Sequence, residues 1–219
     1  MDKHIGRVVL PLARVGAGGA FGLLATCFAV GPNKFATAAH VTGPSDKGLV
    51  AIIDKVTSLT DYQDTTDTSC NAAYMKIVVY DPVHDICILE LVDEGVVTFQ
   101  YTLGSSDDVA PGDPVISLGY PHADHGRLVL TQQGSAVGAR VLLGVNGLKV
   151  KHLVLNTQTR PGQSGGPVFT ADGKKVCAMV LGGYSPNGAG SGISLGGIDP
   201  QTLHQTTHAV SADYIKILL

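Results

Sequence analysis

The sequence predicts an all-β protein with a helix at its C-terminus. Short apolar runs alternate with turn signals along almost the whole chain, and the 28 glycines suit a protein of short strands and many turns. Helical periodicity is clear only at the end, where Ser211 can cap a helix over residues 212–219. A length of 219 residues allows one large β domain or two small barrels.

Most of the predicted strands are short and rich in Val, Ile and Leu, as strands usually are. Two longer polar stretches are predicted to be loops: the acid-rich segment Tyr62–Ala72 and the glycine-rich segment Gly182–Gly197. In chain order, the predicted strands are Val8–Leu12, Thr26–Val30, Val50–Ile53, Lys76–Tyr80, Ile86–Val92, Pro114–Leu118, Leu128–Thr131, Val137–Leu143, His152–Asn156, Pro167–Thr170 and Val176–Leu181.

A polar, proline-bearing stretch near the middle divides the chain into almost equal halves. Such a stretch is typical of a connector between two structural units. We therefore expect an N-terminal β unit over residues 1–103, a connector over residues 104–111 and a C-terminal β unit over residues 112–219.

The composition limits the classes of partner. Hydrophobic residues make up 44% of the chain, which is enough for a substantial core, and no run reaches the ~20 apolar residues of a membrane span. The net charge is −3 and the basic residues are scattered, so the sequence predicts no surface that follows a phosphate backbone. We expect neither a nucleic acid nor a membrane as a partner.

The four cysteines show no paired spacing and no regular framework. Cys87 and Cys177 lie in apolar, strand-like runs, where a reduced and buried thiol is the ordinary state. A chain of this length does not need disulfides to stabilise its core. We therefore expect four free thiols, which favours a cytoplasmic location.

The apolar run Ala20–Val30 has two interpretations. With Arg14 before it, it imitates a signal peptide, and Leu24–Cys27 is similar to a lipoprotein cleavage box. The alternative is a buried strand that leads to a histidine at position 40. We favour the strand, because cleavage at this point would leave the first β unit incomplete.

The strongest chemical signal is the segment Arg160–Phe169, which reads RPGQSGGPVF. A nucleophilic serine needs an exposed hydroxyl on a tight turn, and flanking glycines let the backbone approach a substrate. The segment predicts Ser164 as the nucleophile, with the amides of Gly162 and Ser164 forming an oxyanion hole. Ser-Gly-Gly alone would more often be a glycine-rich hairpin.

Two further segments supply a base and an acid. In Ala25–Val41, two strands joined by a Gly-Pro-Asn turn end at His40, and the small residues before it leave room for an imidazole at a cleft. Asp85 opens an apolar strand, where a carboxylate needs a partner. A histidine that donates its Nδ1–H is a suitable one, since the carboxylate then fixes the tautomer. Each residue taken alone would more often be structural.

Together, these segments resemble the trypsin-like peptidases, and in particular the bacterial HtrA-like branch. That branch reads T-G-F-x-V…T-A-A-H-V, then D-[IL]-A-[IL]-L, then P-G-N-S-G-G-P, in the same His–Asp–Ser order. Two more stretches are similar to it, Pro111–Pro121 and His208–Ser211, so the resemblance covers nearly the whole chain.

The resemblance implies a chymotrypsin-like fold of two six-stranded antiparallel β-barrels with the site in the cleft between them. It implies a serine endopeptidase that acts on protein or peptide substrates with His40, Asp85 and Ser164 and uses no metal or cofactor. Two departures matter. Gln163 replaces the Asp of digestive trypsins, so activation by a freed N-terminus is not expected, and Val41 stands where secreted trypsins carry a disulfide cysteine.

The specificity pocket is predicted from the same resemblance. No Asp lies at the expected floor, so we expect a neutral pocket that favours small or medium uncharged side chains. Gln158 and Thr159 are predicted to form the floor of this pocket, and residues 180–183 and 207–209 its walls. The predicted substrate-binding residues are Gln158, Thr159, Val180, Leu181, Gly182, Gly183 and Ala209.

Three alternatives remain open. An esterase of the α/β-hydrolase class would match the G-x-S-x-G pattern through Ser164, Asp199 and His208, but it requires long helices between the strands. A trypsin-fold module that stays idle until a regulatory protein binds is a second alternative. A metal site built from His84, His122 and His125 is the third, although scattered loop histidines usually face solvent.

Overall fold

The computed structural model describes residues 2–93, 95–183 and 206–219. These residues form strands for the most part, with two short α-helices, α1 (Ala39–Thr42) and α2 (Ala212–Ile217). The strands are β1 (Val9–Val15), β2 (Phe21–Ala29), β3 (Lys34–Ala38), β4 (Leu49–Ile53), β5 (Asn71–Asp81), β6 (Ile86–Leu91), β7 (Thr102–Leu103), β8 (Pro114–Gly119), β9 (Thr131–Val145), β10 (Leu148–Leu155), β11 (Pro167–Thr170), β12 (Lys175–Gly183) and β13 (Thr207–Ser211).

The first six strands close into an antiparallel barrel in the order β1-β2-β3-β6-β5-β4. Strand β3 lies between two neighbours, because it pairs with β2 on one side and with β6 on the other. The interior is apolar and fully buried, with Phe28, Phe35 and Leu89 among its largest side chains. A closed barrel leaves no unpaired sheet edge along which a further strand could add.

The remaining strands form a second sheet in the order β11-β8-β9-β10-β13-β12-β7, and a further pairing between β11 and β12 joins its two sides. Strands β8 to β13 pair antiparallel, whereas β7 lies parallel to the start of β12. The predicted fold class is confirmed, with one addition: the short strand β7 joins the second sheet as a seventh member.

Most local predictions agree with the structure. The run Ala20–Val30 contains β2 rather than a free leader-like segment, and Ser211 accepts a hydrogen bond from the Asp213 amide at the start of α2. The strand predicted at Leu128–Thr131 is wrong, because β9 begins only at Thr131. The reason is a side chain: Gln63 donates to the Leu130 carbonyl (2.9 Å) and accepts from the Leu130 amide (2.8 Å), so this backbone pairs with an amide side chain instead of a strand.

The four cysteines are all unpaired, as expected, and three of them are fully buried. Cys70 is half-buried. Burial raises the pKa of Cys27 and of Cys177 to about 12, so both stay protonated thiols at neutral pH. Within the described residues, no helix is both long and apolar enough to span a membrane.

Two buried tyrosines tie distant parts of the chain together. The hydroxyl of Tyr120, at the end of β8, donates to the Val9 carbonyl of the first barrel (3.1 Å). The hydroxyl of Tyr101 donates to the Ala29 carbonyl at the end of β2 (2.6 Å). A buried hydroxyl needs such a partner, since an unmet hydrogen bond in an apolar interior is costly.

We predict that Tyr120→Phe lowers the free energy of unfolding by about 1 kcal/mol, because it removes one buried hydrogen bond and little apolar area. Tyr120→Ala should cost about 3–5 kcal/mol, since it also opens a cavity. Urea unfolding followed by circular dichroism would measure both. Tyr62→Phe is the control, because Tyr62 is fully exposed and its loss should change nothing measurable. Equal effects of the two Tyr→Phe changes would contradict the assigned role of Tyr120.

Candidate active site

The turn that carries Ser164 requires glycine at two positions. Gly162 and Gly165 have φ angles of +93° and +80°, which side chains other than glycine rarely adopt. A Cβ atom at Gly162 would overlap the Tyr120 carbonyl, and one at Gly165 would overlap the Thr26 carbonyl. The glycines therefore let the turn press against both barrels, with Ser164 between them.

Hydrogen bonds hold this turn from three sides. The Thr26 amide of β2 donates to the Ser164 carbonyl (3.0 Å), and the Gly165 amide donates to the Val180 carbonyl of β12 (2.8 Å). Within the turn, the buried side chain of Gln163 accepts from the Arg160 amide (2.7 Å). Gln163 thus has a local role in closing the loop, which no sequence pattern predicted.

The peptide bond between Pro161 and Gly162 has a defined orientation. The His122 amide donates to the Pro161 carbonyl (2.7 Å), and no cis peptide occurs in the described residues. In a trans peptide the carbonyl and the following N–H point in opposite directions. The Gly162 N–H therefore points away from His122. Among the described residues, neither the Gly162 amide nor the Ser164 amide donates a hydrogen bond within the chain.

His40 and Asp85 come together because β3 and β6 are neighbours. His40 lies in α1, directly after β3, and Asp85 directly precedes β6. His40 Nδ1 lies 2.6 Å from Asp85 Oδ2, and the His40 backbone amide donates to Asp85 Oδ1 (2.8 Å). The Ala39 amide donates to the Asp85 carbonyl (3.1 Å), and these contacts hold Asp85 at a φ of +56°. Both oxygens of the carboxylate thus face one histidine.

The Asp85 carboxylate raises the pKa of His40. Its hydrogen bond to the imidazole is the largest cause, partial burial acts in the opposite direction, and the negative charge of Asp85 adds to the increase. Because a carboxylate accepts rather than donates, the Nδ1 atom carries the proton and Nε2 is left as the basic nitrogen.

Ser164 has another partner in this state. Its hydroxyl donates to the Leu181 carbonyl of β12 (2.7 Å), and the described residues show no hydrogen bond between Ser164 and His40. Side-chain hydroxyls move between staggered rotamers, and catalytic hydrogen bonds often form fully only when substrate binds. A Cβ atom at Gly165, the residue after Ser164, would meet the Thr37 hydroxyl and the Ala38 amide at the end of β3, so the Ser164 turn packs two residues before His40.

A family model described as a trypsin-like peptidase domain matches residues 25–179, which include the segments of all three residues. The chain belongs to the trypsin-like peptidase family. Curated relatives of the HtrA type agree with this. A probable periplasmic DegP-like serine endoprotease of Rickettsia conorii is 27% identical over 145 residues, which are 66% of this chain and 27% of the relative. A Do-like HtrA serine protease of Bacillus subtilis is 33% identical over 104 residues, which are 46% of this chain and 23% of the relative.

This trypsin-like chain thus spans about a quarter of the length of those two relatives. Solved structures show the shared fold over nearly the whole chain. The MamO protease domain of Magnetospirillum magneticum matches with a TM-score of 0.69 and 17% identity, covering 99% of this chain and 97% of that one. The HtrA-type protease AlgW with a decapeptide matches with a TM-score of 0.69 and 16% identity, covering 98% of this chain and 64% of that one.

The predicted specificity residues come together between the nucleophile turn and strands β12 and β13. The Thr159 amide donates to the Thr207 hydroxyl (3.1 Å), and Gly183 pairs with Thr207 across the strands. Val180 and Ala209 are fully buried in the core of the second sheet, so they contribute little open surface. The more exposed members of the predicted set are Gln158, Leu181, Gly182 and Gly183.

The alternative assignments fare differently. The strand-rich fold excludes the α/β-hydrolase esterase, and its proposed acid, Asp199, lies outside the described residues, as does most of the loop predicted at Gly182–Gly197.

The metal site considered at His84 has other contacts instead. His84 stacks on Tyr214 of α2 (4.1 Å between ring centroids) and its Nδ1 lies 2.6 Å from Asp81. Among the described residues, no group of three or more His, Cys, Asp or Glu side chains could hold a metal ion.

One important residue was missed by the sequence reasoning. The hydroxyl of Thr26 donates to the Gly162 carbonyl (2.8 Å) and accepts from the Tyr120 amide (3.1 Å), although Thr26 is completely buried. It therefore fixes the turn that carries the Gly162 and Ser164 amides. The available signal was a threonine inside an otherwise apolar run, since a buried hydroxyl requires partners.

We predict that His40 and His152 titrate on opposite sides of the ordinary histidine value of about 6.5. Asp85 raises the pKa of His40, whereas burial lowers that of His152. Two-dimensional NMR of the imidazole resonances against pH would measure both. Asp85→Asn should lower the pKa of His40, because the carboxylate is removed. Asp81→Asn is the matched control, since Asp81 pairs with His84, and a similar fall in that variant would contradict the assignment.

Proposed function

We propose that this chain is a serine endopeptidase that cleaves peptide bonds through an acyl-enzyme, with His40, Asp85 and Ser164 as its triad. The observation that carries the proposal is the turn at Gly162–Ser164: two of its amides donate to no described residue, and it packs on the end of β3, which leads to the carboxylate-bound His40. Membership of the trypsin-like peptidase family supports it.

In the proposed reaction, the Ser164 hydroxyl turns from Leu181 to His40 Nε2 and attacks the substrate carbonyl as His40 takes its proton. The negative oxygen that forms accepts hydrogen bonds from the Gly162 and Ser164 amides. His40 then gives its proton to the leaving amine, and an acyl-enzyme on Ser164 remains. Water attacks this ester with His40 again as the base, which restores the hydroxyl and releases the acid. Asp85 stabilises the imidazolium during both halves.

The proposal divides the roles between two structural units. Residues 1–103 would supply the base and its carboxylate, and residues 112–219 would supply the nucleophile and the oxyanion amides, with residues 104–111 as the connector. The substrate would be a protein or peptide, since the two relatives are named a serine endoprotease and a serine protease. A cytoplasmic location stays a prediction, as does the bacterial origin that the resemblance to the HtrA-like branch implies; the Rickettsia conorii relative is named as periplasmic.

A second candidate function is a trypsin-fold module that stays idle until a partner protein binds. The hydrogen bond from Ser164 to the Leu181 carbonyl favours it, since the hydroxyl is then not bonded to its base. The two functions differ in one measurable property. A fluorophosphonate probe should label Ser164 of the isolated protein if the site is competent, and only in the presence of a partner if it is idle.

We predict that Ser164→Ala abolishes both proteolysis and fluorophosphonate labelling without changing the fold. Loss of the nucleophile typically lowers the rate by several orders of magnitude, to about 10⁻⁴ or less of the rate of the unmodified protein. Hydrolysis of a denatured protein substrate and in-gel labelling would show this, with circular dichroism to check the fold. Ser45→Ala, at an exposed turn, is the matched control and should retain full activity. Full activity in the Ser164→Ala variant would contradict the proposal.

We also predict a preference for small or medium uncharged side chains, such as Ala, Val, Leu or Met, immediately before the scissile bond. Thr159 at the floor of the proposed pocket and Thr207 in its wall contribute hydroxyls and no charge, so a charged side chain would enter without a partner from them. Selectivity among uncharged residues should be modest, about 1–3 kcal/mol per methylene. Cleavage-site profiling of a peptide library would measure this, and a dominant Arg, Lys, Asp or Glu would show that the pocket is misplaced.

A further inference from the structure

A cavity of about 470 Å³ lies beside β2, on the outer face of the first barrel, and we refer to it as the β2 pocket. Its apolar lining comes from Phe21, Leu23, Ile52 and Leu128. Leu23 and Leu128 pack on a small buried cluster that contains Ile52, so the floor of the β2 pocket is continuous with a core. A cavity of this size with an apolar floor is typical of a ligand-binding site.

The position of the β2 pocket relative to Ser164 follows from strand β2. The Thr26 amide of β2 donates to the Ser164 carbonyl, while β12 contacts the same turn through the Val180 carbonyl. The nucleophile thus lies between β2 and β12. Leu23 is three residues before Thr26 and Phe21 five, so they lie about 10 Å and 17 Å along the strand at about 3.3 Å per residue. The β2 pocket therefore lies on the β2 side of the nucleophile, displaced along the strand towards its first residue.

An extended peptide advances by about the same distance per residue as a strand. In the proposed reaction, the residues before the scissile bond lie along β12, where Leu181, Gly182 and Gly183 are exposed in part. The residues after the scissile bond then leave along the β2 side. The third to fifth of these residues would be level with the β2 pocket.

The charges around the β2 pocket define what it can accept. Lys55 Nζ lies 2.9 Å from Asp67 Oδ2 and donates to the Ser69 carbonyl (3.1 Å), so both members of this pair are occupied. Asp64 and Arg127 add one charge of each sign to the lining. The lysine, the arginine and the two aspartates of the lining thus give two formal charges of each sign. A charged ligand would therefore find no net electrostatic attraction in the β2 pocket. An uncharged apolar side chain would be stabilised because its surface is removed from water.

The β2 pocket is also held in shape before any ligand binds. Gln63 makes two hydrogen bonds to the backbone of Leu130, which joins the loop before β5 to the segment before β9. Lys55 binds Asp67 and Ser69 near the other end of the same loop. A preformed site loses less conformational entropy on binding than a flexible one.

We propose that the β2 pocket binds an apolar side chain of a peptide substrate, three to five residues after the scissile bond. This inference rests on the proposed function, because it takes the direction of the substrate from Ser164 and β12. It assigns to Phe21 and Leu128 a role in specificity on the leaving-group side.

Two substrates with the same residues before the scissile bond test this in the active protein. One ends in a small chromogenic amine, and the other continues for six residues with Leu at the third to fifth positions. Phe21→Asp and Leu128→Asp should each lower kcat/KM for the long substrate at least tenfold and change it less than twofold for the short one. Leu142→Asp is the matched control, since Leu142 is an exposed leucine on β9. Equal effects on both substrates, or none on either, would overturn the proposal.

A binding measurement separates this proposal from the function on which it rests. Cys70 lines the β2 pocket and is half-buried, while Cys27, Cys87 and Cys177 are fully buried. In the Ser164→Ala protein, the Leu-containing peptide should slow the reaction of Cys70 with N-ethylmaleimide, and a peptide with Gly at the same positions should not. Phe21→Asp should remove the protection. Protection without hydrolysis in the unmodified protein would reject the endopeptidase and keep the pocket, and hydrolysis without protection would do the reverse.

Discussion

The arrangement of the active site depends on one buried threonine at the junction of the two barrels. Thr26 uses its amide, its hydroxyl and its carbonyl together: it donates to Ser164 and Gly162, and it accepts from Tyr120 and Thr37. A buried polar residue of this kind is tolerated only when every group has a partner. Because β2 pairs with β3, which leads to His40, the same residue connects the Ser164 turn to the segment that carries His40.

This constraint explains why the turn around Ser164 needs its glycines. Gly165 passes close to the Thr26 carbonyl, so a side chain there would push the turn away from the first barrel. Gly162 passes close to the Tyr120 carbonyl, so a side chain there would push the turn away from the end of β8. The His122 amide completes the arrangement from the other side by holding the Pro161 carbonyl. The two amides proposed as the oxyanion hole are thus oriented by tertiary hydrogen bonds rather than by the turn alone, which is what preorganisation requires.

The motifs around His40, Asp85 and Ser164 were readable from the sequence because each joins a strand end to a residue type with specific chemistry. The all-β class was predictable from short apolar runs, the two barrels from the resemblance to the trypsin-like peptidases, and α2 from its serine cap. The parts that were not predictable depend on contacts between distant segments. Nothing local shows that Gln63 replaces a strand partner at Leu130, or that the amide of His122, rather than its ring, supports the site. The β2 pocket is equally a product of tertiary packing.

In the proposed mechanism, the position of the Ser164 proton connects substrate binding to catalysis. The hydroxyl has two possible acceptors, the Leu181 carbonyl that it now uses and His40 Nε2, which Asp85 makes more basic. A peptide extended along β12 can donate a backbone N–H to the same Leu181 carbonyl and so displace the serine hydroxyl. The hydroxyl then has His40 as its remaining acceptor. Backbone binding would in this way complete the catalytic pair, so part of the binding energy would appear in kcat rather than in KM.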